Sequence, residues 1–338
     1  MERRVVLGLL AASTLLSTVR ARADAAVESI IRVNIPGPHM LPYLPVELIP
    51  RLGIDQALGT RLSIRYLPSG VLALEDAVAG NGDFAGIGFS VLPNFITKNK
   101  PVAAVATLSS GVPPYSILIR TELAQRVRRI ADLKGRSIGV PMGSITSKTY
   151  LQTVLEMWLS THGIRATDVR WVHTNQNLDG MLGGLSSGVV DAVFCEEPLA
   201  GTLVRKKIGL RLANMADPNA PGRAPWARHL RAVLAAPREI LEHHPRRAQL
   251  MVAMLQRSLR WVQASKPEDI VVKLGIQDPD LARDLSDPIR RIPNLFSRDG
   301  RFRPDEVAAS QAFLAATGTV LPPGVTVQGL IDDRWVGR

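Results

Sequence analysis

The sequence predicts an α/β fold of two similar lobes, each a mostly parallel sheet flanked by helices. Three observations carry this expectation. The chain has 338 residues, enough for about two domains. It repeats weakly upon itself: Gly80-Asn81-Gly82-Asp83 leads into the apolar run Phe84 to Gly88, and Gly188-Val189-Val190-Asp191, 108 residues later, leads into Ala192 to Cys195. Strand-like runs also alternate with amphipathic helical ones, the pattern of parallel βαβ units.

The elements follow in order. Glu2-Arg3-Arg4 is a basic start, Val5 to Leu16 an apolar run, and Ala21-Arg22-Ala23 a small-x-small cleavage pattern, so residues 1–23 read as a signal peptide. The apolar run is shorter than the roughly 20 residues a spanning helix needs. No cysteine near the cut offers a lipid anchor, and both the Sec and twin-arginine routes stay open. Lobe one is expected over 24–112, with strands Ile30 to Ile35, Leu62 to Leu67 and Phe84 to Gly88, and helices Leu44 to Leu52 and Val71 to Ala79. Val102 to Thr107 and Tyr115 to Arg120 are further strands, joined by the turn-rich crossover Ser109 to Pro114.

Lobe two is expected over 113–212. Its strands are Ser137 to Val140, Val169 to Thr174 and Ala192 to Cys195. Its helices are Lys148 to His162 and Leu178 to Ser187; the first carries Leu151, Val154, Leu155, Trp158 and Leu159 at helical spacing. Ile64 and Val172 keep the offset of the repeat. After a loop at Asp217 to Gly222, helical patterns at Ala248 to Gln263 and Pro304 to Thr317 dominate, and 213–338 is expected to return and complete lobe one.

Composition excludes several classes. The formal net charge is +11, of which +8 lies beyond residue 23. The basic residues are scattered and aromatics are only 5%, so no basic stripe with interleaved rings marks a nucleic-acid partner. A single cysteine, Cys195, leaves no internal disulfide and no cysteine-based zinc site. The six histidines lack ligand spacing. No metal and no cofactor is expected.

Ligands of open parallel sheets sit beyond the carboxyl ends of the strands. That rule selects the loops bearing His39, Ser69, Phe89, Ser90, Ser109, Gly143, Ser144, Thr146, Asn175, Glu196 and Glu197. They are rich in small polar groups that orient a ligand without reacting with it. Gly143 to Ser147 stands where a strand opens a helix, so two readings are open: an anion site on free N–H groups, or ordinary N-capping by Ser144, Thr146 or Ser147. Glu196-Glu197 at a strand end has three readings: holding an amine-bearing ligand, pairing with Arg or Lys, or solvation. His39 and Phe89 are open between ligand contact and structure. Cys195 ends an apolar strand and reads as a buried structural thiol. Neither Gly-x-Ser-x-Gly nor a phosphate-binding P-loop pattern is present.

The stretch Ile130-Ala131-Asp132-Leu133-Lys134-Gly135-Arg136-Ser137-Ile138-Gly139-Val140-Pro141-Met142-Gly143-Ser144 resembles a segment of the periplasmic substrate-binding proteins of ABC importers. The branch is that of sulfonate, taurine and nitrate binders, with the thiamine-precursor (NMT1/THI5-like) proteins. Gly80 to Ser90 and Gly188 to Pro198 resemble two further segments of the same family. The resemblance implies a type II periplasmic-binding fold with a ligand cleft between the lobes and hinged closure. It further implies a monomeric, periplasmic, non-enzymatic protein that passes a small anionic or zwitterionic solute to an ABC permease and ATPase. Cleft positions by motif are His39, Ser69, Ser90, Ser109, Ser144, Thr146 and Glu197. Many members carry an aromatic residue where this chain has Glu196, a departure that bears on sulfonate or nitrate specificity. Two rival classes share the fold: a pyrimidine- or thiamine-precursor-related biosynthetic enzyme, and a sensor module for a membrane receptor.

Overall fold

The computed structural model describes residues 30–109, 113–144, 147–175, 177–217, 228–292 and 294–337. The expected signal at 1–23, Ser110 to Val112 of the crossover, Thr146, Gln176 and most of the 217–222 loop lie outside the described residues. The strands are β1 (Ile30–Pro36), β2 (Arg61–Leu67), β3 (Phe84–Gly88), β4 (Val102–Thr107), β5 (Tyr115–Arg120), β6 (Ser137–Pro141), β7 (Arg170–Thr174), β8 (Ala192–Glu196), β9 (Gly209–Asn214) and β10 (Ala232–Pro237). They form two five-stranded sheets, ordered β2-β1-β3-β10-β4 and β7-β6-β8-β5-β9. Replacing β1 to β4 by β6 to β9, and β10 by β5, converts one order into the other. The internal repeat is therefore an architectural one.

The sheets are mixed rather than purely parallel, with one reversed strand in each. β2-β1-β3 and β7-β6-β8 are parallel, but β10 runs antiparallel to β3 and β4, and β5 antiparallel to β8 and β9. The odd strand in each sheet arrives from the other lobe, so no helical crossover within its own sheet obliges it to run parallel. β9 and β10 went unrecognised in the sequence. Ala232 to Ala236 is a short apolar run in which periodicity does not separate strand from helix.

The repeated Gly-x-x-Asp has one physical job in both lobes. Gly80 and Gly188 take φ of 89° and 74°, which ends the preceding helix. The aspartate then ties the next strand to the first strand of its sheet. Asp83 accepts from the Arg32 N–H at 2.7 Å while its own N–H donates to the Arg32 carbonyl at 2.9 Å. Asp191 repeats this on Ser137, accepting its N–H at 3.0 Å and donating to its carbonyl at 2.9 Å. Asp83 is fully buried and also pairs with Arg247 at 2.6 Å.

The helices are α1 (Leu44–Arg51), α2 (Ile54–Ala57), α3 (Gly70–Asp76), α4 (Leu92–Ile96), α5 (Tyr150–Ser160), α6 (Leu178–Ser186), α7 (Leu199–Arg205), α8 (Arg238–His243), α9 (Pro245–Ala264), α10 (Pro267–Lys273), α11 (Pro279–Arg291) and α12 (Pro304–Ala316). α5 buries Leu151, Val154, Leu155, Trp158 and Leu159, the stripe its spacing predicts. It starts two residues later than the sequence reading, because Thr149 is the N-cap and its Oγ accepts the Gln152 N–H. α9 carries Arg247 to Asp83, and its Ser258 hydroxyl donates to the Pro45 carbonyl in α1 at 2.6 Å. α11 reaches the other sheet's helices, where Asp284 engages Thr202 and Arg205 of α7. Among the described residues no helix is long and apolar enough to cross a membrane.

Candidate functional site

The two sheets face each other across a small cavity enclosing about 30 Å³, room for one or two waters. One side is built by Tyr43 after β1, Gly70 and Val71 at the start of α3, Gly88 at the end of β3 and Val91 just beyond it. The other is built by Tyr115 at the start of β5, Thr149 to Leu151 at the start of α5, and Glu196 at the end of β8. Most of the wall thus lies at carboxyl ends of strands and the adjoining helix starts, where open sheets receive ligands.

Three of the chain's four tyrosines converge here. Tyr115 and Glu196 are directly opposed across the β5–β8 ladder, which puts both side chains on one face. The Tyr115 and Tyr150 rings meet edge to face, 6.1 Å apart. The Tyr150 hydroxyl also bonds His229 Nε2 at 2.9 Å, and His229 stacks on Phe313 of α12 at 4.0 Å. Burial pushes the Tyr43, Tyr115 and Tyr150 hydroxyls well above the ordinary phenol range. The Glu196 carboxylate adds to that push on all three, and the nearby Arg231 opposes it on Tyr115 and Tyr150. All three therefore stay neutral, with an O–H to donate. Arg231, 1% exposed, lies outside the cavity wall. Its carbonyl accepts the Phe89 N–H and its Nη2 donates to the Leu295 carbonyl.

The lobes touch closely around this cavity. A Cβ placed on Gly88 would fall 2.5 Å from Tyr150 Cγ, so only glycine allows this approach. Lys98, just past α4, donates to the Ser147 hydroxyl at 2.9 Å.

Of the eleven residues the sequence singled out, Glu196 is the one in the cavity wall among the described residues. Its neighbour Glu197 faces elsewhere: Oε1 pairs with Arg211 at 2.8 Å and Oε2 accepts the Gly201 N–H at 2.8 Å, capping α7. Ser69 caps α3 by accepting the Leu72 N–H. Ser109 Oγ accepts the Ala232 N–H at 3.2 Å. His39 has φ of 62°, with its N–H on Glu47 Oε1 and its Nδ1 3.4 Å from Oε2. Phe89 is buried in the apolar core, and Ser90 beside it has a buried hydroxyl without a hydrogen-bond partner among the described residues. Asn175 is exposed. Gly143 and Ser144 belong to a closed turn, in which the Ser144 N–H donates to the Ser147 carbonyl at 3.0 Å. A Cβ on Gly143 would collide with that carbonyl. Neither Ser144 nor Ser147 caps α5, since Thr149 does, and Thr146 lies outside the described residues. The buried Cys195 thiol is pushed up by its burial and by Glu197, so it is not a thiolate nucleophile.

Tyr43, Tyr115, Tyr150, His229 and Arg231 were missed in the sequence. The signal available was the placement of scarce tyrosines beside strand ends.

The model of the NMT1-like family matches residues 45–276. No curated protein matches the chain. Among solved structures, a Bordetella bronchiseptica RB50 protein is similar with a TM-score of 0.77 and 20% identity, over 91% of this chain and 96% of that one. The alkanesulfonate-binding protein SsuA from Xanthomonas axonopodis pv. citri, bound to MOPS, has a TM-score of 0.67 and 18% identity, over 90% and 98%. The periplasmic nitrate-binding protein NrtA from Synechocystis PCC 6803 has a TM-score of 0.68 and 14% identity, over 91% and 86%. The chain shares their two-lobed periplasmic-binding fold.

Proposed function

The chain belongs to the NMT1-like family, and from that premise we propose that it is an exported solute-binding protein. It captures a small organic molecule by closing its lobes, then delivers it to the permease and ATPase of an ABC importer. The observation that carries this reading is a cavity walled from both lobes, at the place where Gly88 and Tyr150 meet. A ligand there touches both lobes only when they are together, so binding shifts the population toward the closed form. The transporter then reads the closed shape.

The names of the alkanesulfonate- and nitrate-binding relatives support solute capture. No bond is broken in this mechanism: the wall offers neutral phenols, a carboxylate and apolar surface, and Cys195 is buried away as a thiol. The protein works in the periplasm as a monomer after loss of residues 1–23.

Native mass spectrometry of residues 24–338, incubated with a metabolite extract of the host, tests this. One solute retained per chain is expected, and readdition at 100 times its dissociation constant stabilises the fold by about 2.7 kcal/mol. Consumption of the solute, or failure to retain any, refutes the proposal.

A further inference from the structure

Away from the cleft, two adjoining depressions of about 600 and 640 Å³ form one surface groove, sharing Gln263, Asn294 and Phe296. The groove runs between the ends of two helices. One is α9, fastened to lobe one through Arg247 and Ser258; the other is α11, fastened to α7 of lobe two through Asp284. Phe296 in the groove also bridges to Ser109, where the chain leaves lobe one. The floor is apolar, made by Val262, Ile289, Ile292, Leu295 and Phe296. The charged groups on the rim are Arg260, Arg290, Arg291 and Arg298, and no carboxylate lines the groove among the described residues. We infer that this groove docks an acidic peptide segment of a partner protein, one in which carboxylates are interspersed with apolar side chains.

The acids nearest the groove in sequence are already engaged. Glu268 and Asp287 pair with Arg290, and Asp299 pairs with Arg301 and Arg303. Arg260, Arg291 and Arg298 are exposed and make no ion pair among the described residues; Arg291 donates its Nε–H to the Asp287 carbonyl. Like charges around an apolar concavity focus a positive field into it. The cations are all arginine, whose planar fork holds a carboxylate by two hydrogen bonds, and which is enriched at protein interfaces where lysine is depleted. An apolar patch with a polar rim is itself the mark of an interaction site. A wholly polar polyanion would leave the apolar floor wet. A flat membrane surface would reach the rim and not the floor. A second copy of this chain, with +8 beyond residue 23, is repelled. A peptide bearing both carboxylates and apolar side chains fills the floor and answers the rim together.

The test uses the full mature chain and fluorescein-labelled short peptides built from glutamate and leucine, in alternation and in pairs. Control peptides carry lysine in place of glutamate, or serine in place of leucine. Fluorescence anisotropy is expected to show saturable binding of one or more glutamate–leucine peptides, weakening as salt is raised. Neither control should bind comparably. The double variant Arg260→Glu with Arg298→Glu should bind about tenfold more weakly or worse, since attraction is replaced by repulsion at two exposed positions. Arg260→Lys with Arg298→Lys should retain most of the affinity. Circular dichroism and thermal unfolding check that both variants are folded. No binding of any glutamate–leucine peptide overturns the inference, as does equal binding of either control or an affinity unaltered by the charge reversal. Two other occupants would also overturn it: phosphatidylglycerol vesicles bound through these arginines in place of peptide, or self-association of the chain that the charge reversal abolishes. Each of these outcomes leaves the solute-binding reading standing, because the groove and the cleft share no lining residue among those described.

Discussion

Replacing Gly88 by alanine should prop the lobes apart while leaving each lobe intact. The Gly88 backbone has φ −72° and ψ 129°, values alanine adopts freely, so the substitution carries no backbone strain. The three atoms nearest the added Cβ all belong to Tyr150, with Cγ at 2.5 Å and Cδ2 at 3.1 Å. Carbon atoms in contact prefer about 3.5–4.0 Å. The shortfall is about an ångström against a side chain already packed between Tyr115, His229 and Phe313. Overpacking of this kind costs about 1–3 kcal/mol. Charged to the closed form alone, that weakens ligand affinity about 5- to 140-fold, at about 1.4 kcal/mol per decade. The assay is fluorescence energy transfer between dyes on Lys100→Cys and Gln125→Cys, both exposed positions, with the buried Cys195 left unlabelled. Gly88→Ala should lower the closed fraction at every ligand concentration and leave the urea slope unchanged. An unchanged closed fraction and affinity would show that the Gly88–Tyr150 approach does not govern closure.

Four further outcomes are expected. Asp83→Ala removes the buried carboxylate that pairs with Arg247 and ties β3 to β1 through the Arg32 N–H, and should cost about 3–5 kcal/mol in urea unfolding. Asp191→Asn should show a pH-dependent cost. Burial works against the Asp191 carboxylate, but hydrogen bonds from Ser137 and Arg120 outweigh it and hold its pKa below the usual range. Its contribution is therefore full above the unfolded value of about 3.9 and is lost as pH falls through the lower folded value, so wild type and variant converge below about pH 4. Cys195 should react with a thiol reagent only as fast as the chain unfolds. Thr149→Ala should lose about 1 kcal/mol through the missing α5 cap, read by thermal unfolding.

The parts of the fold legible in the sequence were those fixed by local chemistry. The glycine–aspartate pairs at 80–83 and 188–191 marked where helices end and strands begin, and their shared spacing revealed the repeat. The β3 bounds Phe84 and Gly88 and the β4 bounds Val102 and Thr107 agree with the sequence reading. The antiparallel entry of β5 and β10 was not legible, because direction is set by the chain's passage between lobes rather than by either strand's residues. The cleft was legible as a set of loops but not as side chains. Successive strand residues point to opposite faces. At Glu196-Glu197 one acid therefore lines the cavity and the next caps α7 and pairs with Arg211. Ser69 and Ser90 carry the hydroxyls of their loops, yet their neighbours Gly70, Val71, Gly88 and Val91 form the wall. His229 and Arg231 belong to the unrecognised return into β10, so no strand-end rule reached them.

A solute held between the two lobes should close them. Small-angle X-ray scattering of the wild-type chain, free and saturated with the solute recovered from extract, tests it directly. A smaller radius of gyration is expected with solute, a change abolished in Gly88→Ala at the same concentration. An identical radius with and without bound solute would contradict it.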